Sequence, residues 1–167
     1  MTLPVRFFFD ECLSRPVVEC DLVRSLSLYG SSAEVAHLLT KFGGGGVKDP
    51  VWVPVLAQES GWIVITCDQG IKSKKSEKLP LICRSFGVTH VTLSRGLHKR
   101  NMFYKSLAIS SLWGKLHALS DEPRGAGYRI SMNGANFRLA LIKAALPECE
   151  IFDPTAERHQ QSLFKEG

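Results

Sequence analysis

Hydrophobic runs alternate with polar punctuation along most of this chain, and the runs are of two kinds. The short ones, at residues 5–9 ("VRFFF"), 62–66 ("WIVIT", unbroken) and 88–93 ("VTHVTL"), are rich in β-branched and aromatic side chains. A half-solvated strand would show polar alternation, so unbroken runs of this length predict central strands buried on both faces. A weaker strand is predicted at roughly Glu34 to Leu38. The other kind follows helical spacing. Pro16 can open a helix in its first turn, and Val18, Leu22, Leu26 and Tyr29 recur on one face until Gly30 closes it. Asp49 followed by Pro50 reads as an N-cap and first helical residue, predicting a helix to about Ser60 that stops at Gly61. A short helix is predicted near Leu81 to Phe86. Between Arg100 and Leu119, the residues Met102, Ile109, Leu112, Leu116 and Leu119 keep to one face and predict the longest helix.

Strands alternating with helices imply parallel β-α-β units, hence a three-layer α/β/α sandwich around a central, mostly parallel sheet. After "SDEPRGAG" at 120–127 the period changes. Tyr128, Ile130 and Met132 alternate with polar residues, "NG" follows at 133–134, and Phe137, Leu139 and Leu141 alternate again. That pattern signals a hairpin. The rival is a helix from Asn136 to Ala145, whose "RLALIKAAL" holds strong helix formers; the alternation favours the hairpin. The expected organisation is a main domain over residues 1–120 and a C-terminal extension, 121–167, packed on it and ending in a loosely held tail.

Composition narrows the class. The 167 residues suit one core, and 44% hydrophobic with 22% charged residues is ordinary globular composition. A net charge of +5 favours a polyanionic partner. Five cysteines, Cys12, Cys20, Cys67, Cys83 and Cys149, form no CxxC and read as reduced thiols. The N-terminus has one arginine, and acids interrupt its apolar run early, so neither a secretory signal nor a membrane span is expected, and the expected location is the cytoplasm. The histidines His37, His90, His98, His117 and His159 show no ligand spacing, and His90 reads as a satisfied strand residue. Trp52, Trp62 and Trp113 read as core. Gly43 to Gly46 lack the following GKS or GKT of a phosphate-binding loop and read as a mobile hinge over a site.

The acids carry the candidate chemistry. Asp10 and Glu11 end the first strand, Asp49 opens the helix before the third, and Asp68 lies just beyond the third. In an open parallel sheet the carboxyl ends of strands share one edge, where ligands settle. Each acid alone has a structural explanation: Asp10 and Asp49 as caps, Asp68 in "DQG" as a turn residue, Glu11 as a solvated charge. Together they suggest a metal site, because carboxylates gathered in one crevice repel one another unless a hard divalent cation joins them. Asp10 also fits a phosphatase nucleophile, although Cys12 stands where the second acid of an Asp-x-Asp pair belongs.

The opening "RFFFDECLSRPVVECDL", the central "KDPVWVPVLAQESGWIVITCD" and the order strand-acid, Asp-helix, strand-Thr-x-Asp resemble the PIN-like nucleases, especially the small PIN-like toxins of toxin–antitoxin pairs, over about residues 5 to 93. The resemblance implies a PIN-like sandwich that binds Mg²⁺ or Mn²⁺ and cleaves RNA. Carried over by position, the strand-1 acid is Asp10, the acid opening the middle helix is Asp49, and the Thr-x-Asp is Thr66 and Asp68, with Glu11 at an adjacent position that is often acidic. Asp10, Asp49 and Asp68 are then the metal ligands, and Asp10, Glu11, Asp49, Thr66 and Asp68 the catalytic set. Lys72, Lys74, Lys75 and Lys78 become candidate phosphate contacts, with Arg95, His98, Lys99 and Arg100 as a second basic cluster. Arg124, Arg129, Arg138 and Lys143 either extend the track or meet an acidic antitoxin segment. The implied partners are RNA, a cognate antitoxin and a second copy in a homo-oligomer, with no membrane. One departure stands out: related chains commonly carry a further acid after the Thr-x-Asp, whereas Gln69 and Gly70 stand here. A degenerate PIN-like domain that binds RNA or protein without cleaving is therefore the alternative.

Overall fold

The structure is a computed structural model that describes residues 4–68 and 78–142. One six-stranded sheet organises it, with strand order β2-β1-β3-β4-β5-β6. The strands are β1 (Arg6–Phe9), β2 (Glu34–His37), β3 (Trp62–Thr66), β4 (Thr89–Leu93), β5 (Gly127–Asn133) and β6 (Asn136–Leu141). The first five run parallel, and β6 is antiparallel to β5. The sandwich expected from the alternation of runs is present.

The unbroken apolar runs are explained by burial on both faces. In β1, Phe7 and Phe9 enter one core cluster with Ile63, Ile65, Val91 and Ile130, while Phe8 enters the other with Trp52, Trp62 and Val64. The first cluster is covered by a π-helical segment (Val17–Leu22), which runs on into α1 (Val23–Leu28), and by α5 (Arg95–His98), α6 (Met102–Ser110) and α7 (Trp113–Ala118). The second lies under α3 (Asp49–Glu59) and α4 (Leu79–Ser85). The small α2 (Leu38–Phe42) follows β2 directly and ends at Gly43, whose φ of 74° only glycine adopts cheaply.

Two expectations shift. The helix after Pro16 is π-helical in its first part; Val18, Leu22 and Leu26 are buried, but Tyr29 is exposed and stacks on His117 at 5.8 Å between ring centroids. The longest helix expected between Arg100 and Leu119 is two helices. Ser111 turns its hydroxyl back onto the Ala108 carbonyl at 3.0 Å, and Leu112 leaves helical geometry at φ −113°, ψ 9°. Serine competes with the helix for backbone groups in this way. The break seats Trp113 in the core with its indole N–H on the Ser25 hydroxyl at 3.0 Å. Among the described residues the longest helix is instead α3, with 11 residues.

The hairpin, not the helix, forms after residue 127. Asn133 pairs with Asn136, which leaves Gly134 and Ala135 as a two-residue turn. Gly134 has φ 60° and Ala135 has none of the positive φ, the signature of a type II′ turn. Residues 143–145 of the rival helix, the tail and Cys149 lie outside the described residues. Among the described residues no helix is long and apolar enough to cross a membrane.

His90 is a buried strand residue as expected, with a backbone interaction at Val88, although its Nδ1 stands outside ordinary hydrogen-bond geometry. Burial, helped by Arg84, lowers its pKa to about 4 and keeps the ring neutral. The imidazole lies over Gly127, the facing residue of β5: a Cβ there would stand 2.7 Å from Nε2. Gly127→Ala is therefore expected to destabilise the fold by about 1–3 kcal/mol, as overpacking of a closed core does. Urea denaturation checks this, and wild-type stability in the variant would mean that the ring can swing clear.

Candidate metal centre at the carboxyl edge of the sheet

Side-chain alternation decides where the acids point. Phe8 faces the cluster under α3, so Asp10, two residues on, leaves β1 on that same side. Val64 faces it too, and so does Thr66 at the end of β3. Because Phe9 pairs with Ile65, Asp10 and Thr66 come side by side, and the Thr66 hydroxyl donates to Asp10 Oδ2. The same hydroxyl oxygen accepts the Asp68 backbone N–H at 2.9 Å. One threonine thus links two of the three aspartates. Asp10 Oδ1 is held by the Cys12 backbone N–H at 3.0 Å, which closes the turn after β1.

Asp49 enters from above. Helix α3 packs Trp52, Val53 and Leu56 on the sheet, and its first turn overhangs the ends of β1 and β3. Asp49 is not the N-cap: Lys48 occupies that place, with no side-chain hydrogen bond. The Asp49 carboxylate instead accepts the Trp52 indole N–H at 3.1 Å. The capping explanation for this acid therefore falls away. Trp52 belongs to the core as expected, but it also positions Asp49, and its i+3 spacing on the helix was the available signal.

Electrostatics ties the three together. Burial lifts the Asp49 pKa from its ordinary 3.8 to about 6, and the negative charges of Asp68 and Asp10 add to the rise against the pull of Trp52 and Lys48. Burial likewise raises Asp10, with hydrogen bonds from Cys12 and Thr66 acting in the opposite direction and Asp68 adding to the rise. Aspartates distant in sequence feel one another at this edge. Among the described residues, however, no three His, Cys, Asp or Glu side chains form a closed metal cage. The donor set is an open one of carboxylate oxygens, partly solvated and short of positive charge, which suits a hard divalent ion that keeps several of its own waters.

Glu11 is turned elsewhere. Its Oε1 accepts the Gly46 N–H at 3.0 Å and lies 3.1 Å from where a Cβ on Gly45 would stand, so the glycine segment is tethered to the end of β1. His37, at the end of β2, bonds through Nε2 to the Leu13 carbonyl at 2.8 Å and accepts the Leu39 N–H on Nδ1. The Cys12 thiol is pushed well above its ordinary range by burial and by contact with Cys67, which suits an inert group.

The basic residues divide. Lys78 precedes α4 and lies at the same edge as the acids, whereas Lys72, Lys74, Lys75, Gln69 and Gly70 fall outside the described residues. Arg95, His98, Lys99 and Arg100 are exposed on and just after α5, beyond the end of β4, and Arg100 stacks on Tyr104 at 5.5 Å. Arg124 lines a cavity of 510 Å³ with Leu56, Trp62 and Val88 at the opposite, amino-terminal edge of the sheet. That cavity is remote from the aspartates. Thr92, at the end of β4, went unnoticed in the sequence: it pairs with Thr66, and its hydroxyl is buried without a partner.

Over residues 5–94 the chain matches the family described as PIN like domain, more than half its length. No curated protein and no solved structure matches it. The matched segment begins before β1 and ends just after β4, so it contains all three aspartates, Thr66 and the strands that align them. Fold, edge and family agree: the chain belongs to the PIN-like domain family, whose members are generally nucleases and typically use divalent metals.

Proposed function

We propose that this protein is a metal-dependent endoribonuclease, the toxin component of a toxin–antitoxin pair. The observation that carries the reading is the Thr66 hydroxyl, which donates a hydrogen bond to Asp10 and accepts the Asp68 N–H, beneath an Asp49 whose pKa both acids help to raise. Asp10, Asp49 and Asp68 would hold Mg²⁺ or Mn²⁺. Bound there, such an ion would lower the pKa of a coordinated water and offset developing charge on a phosphodiester.

The chain's own residues prepare the edge. Thr66 fixes the Asp10 carboxylate and the turn that presents Asp68, while Trp52 fixes Asp49. Glu11 holds the glycine segment beside them. Lys78, with Lys72, Lys74 and Lys75 before it in sequence, supplies positive charge for RNA phosphates. An antitoxin would act by covering this edge.

The test uses purified protein and single-stranded RNA. Cleavage should require Mn²⁺ or Mg²⁺, stop on chelation, and be lost in Asp68→Asn. Undiminished cleavage in that variant would remove the metal-site account. RNA binding with no metal binding at millimolar Mn²⁺ in titration calorimetry would mark a degenerate domain instead. Growth arrest on induced expression, relieved by a small neighbouring gene, tests the toxin role.

A further inference from the structure

The row of side chains that begins at the aspartates does not stop at β3. Thr66 pairs with Thr92, Thr92 with Arg129, and Arg129 with Ala140, so one line of positions crosses β3 to β6 at right angles to the strands. The face is the same throughout. Val91 and Leu93 point into the core cluster beneath α6, as do Tyr128 and Ile130, which leaves Thr92 and Arg129 on the side of Asp10 and Thr66. On β6, Phe137 and Leu139 pack against that first cluster, and Arg138 therefore shares the opposite face with Arg129. Arg129 lies opposite Ala140 and thus diagonal to Arg138, a spacing of about 7–8 Å between Cα atoms. At about 4.8 Å per strand, Arg129 stands two strands, or about 10 Å, from Thr66.

Two like charges on one diagonal repel. Both arginines are exposed, and among the described residues neither forms an ion pair, since the salt bridges engage Arg6, Arg15 and Lys41. The helices whose side chains join Tyr128 and Ile130 in the core, α5 and α6, lie on the other face. Between this pair and the aspartates sits the buried, partnerless hydroxyl of Thr92. The surface next to the carboxylate edge is thus a positive strip that shares its register. It lies outside the segment matched to the family, which ends at residue 94.

We infer that the β5–β6 hairpin is the substrate clamp of this nuclease: Arg129 and Arg138 grip phosphates of the RNA strand on one side of the bond to be cut. The strand then passes along the carboxyl edge, outside the buried Thr66 and Thr92, with the scissile phosphate at Asp10 and Asp68. Guanidinium groups suit this role because each presents a planar fork of donors to a phosphate. The inference rests on the nuclease reading of the aspartate edge, and its test is made without metal so that the two can fail separately.

Binding of a labelled single-stranded oligouridylate is measured in EDTA over a salt series. Arg129→Ala and Arg138→Ala should each weaken binding several-fold and each reduce the slope of log affinity against log salt by about 0.7, the value of one released counterion on a single strand. Arg24→Ala removes another exposed arginine from α1, on the far face of the sheet, and should change neither. Unmoved affinity and slope in the Arg129→Ala/Arg138→Ala double variant overturn the clamp and leave the strip to an acidic protein segment. Equal loss in Arg24→Ala also overturns it, because the effect would then be net charge alone. If the nuclease reading fails, cleavage is absent while the arginine dependence persists; if the clamp fails, cleavage persists while the slope stays put.

Discussion

Asp49→Asn should lower RNA cleavage by roughly 10²–10³-fold, as removal of a preorganised electrostatic group does, and should at the same time make the metal-free protein more stable. The two effects have one cause. In the native protein burial and the charges of Asp68 and Asp10 raise Asp49 from 3.8 to about 6. A raised carboxyl favours the folded state while it is protonated, below pH 4, and that contribution is lost as pH rises through about 6. At pH 7 the wild-type carboxylate is therefore a burden, partly relieved by solvent because the side chain is not fully enclosed. Asparagine keeps an oxygen for the Trp52 indole and carries no charge. After allowance for solvent screening, the gain should be on the order of 1 kcal/mol, or about 2–4 °C in melting temperature for a chain of this size. Calorimetry in EDTA at pH 7 reads it, and the gain should vanish near pH 4. Mn²⁺ affinity in the wild type should also fall as pH drops below about 6, where the metal-free Asp49 takes up a proton that the ion must displace. A lower melting temperature in the variant would show that Asp49 suffers no net repulsion; unchanged cleavage would place it outside the machinery. A group that costs stability and supplies activity is the usual trade at a functional site.

The second large effect lies just below the site. Phe8→Ala should cost about 3–5 kcal/mol, the range for removing a buried aromatic ring. Phe8 is fully buried and meets Trp52 at 4.8 Å, Phe42 at 6.0 Å and Trp62 at 6.1 Å between ring centroids. Aromatic contacts of this kind add to what area alone supplies. The ring is also the floor on which Trp52 rests, and Trp52 holds Asp49. Loss of Phe8 should thus reduce both the urea midpoint and, at temperatures where the variant remains folded, its cleavage rate. Phe8→Leu should recover part of each. If the alanine variant unfolded like wild type, the cavity would have to close by collapse of α3 onto the sheet, and Asp49 would move with it.

Both results turn on neighbours far apart in the chain, whereas the elements themselves are written locally. The strands were legible because burial on two faces demands unbroken β-branched and aromatic runs, as in "RFFF" and "WIVIT". Their parallel order came from the intervening helices, and a parallel sheet places the ends of β1 and β3 on one edge, so Asp10 and Asp68 were candidates without coordinates, whereas Thr66 became one only through the PIN-like resemblance. The hairpin was legible through its alternation and its glycine. The break at Ser111 was not, because it depends on Trp113 finding Ser25, 88 residues away.

Hydrophobic period and turn chemistry are local quantities, and through them the amino-acid sequence alone determined a mostly parallel sheet with acids at its carboxyl edge. Pairing partners and pKa values are not local. Only the folded chain decided that Asp49 bonds Trp52 and caps nothing, and that Glu11 reaches back to Gly46. Strand register, likewise, set Arg129 in the row of Thr66. Each depends on which side of a strand a residue leaves and what stands opposite, and those distances exist only once the sheet has closed its register.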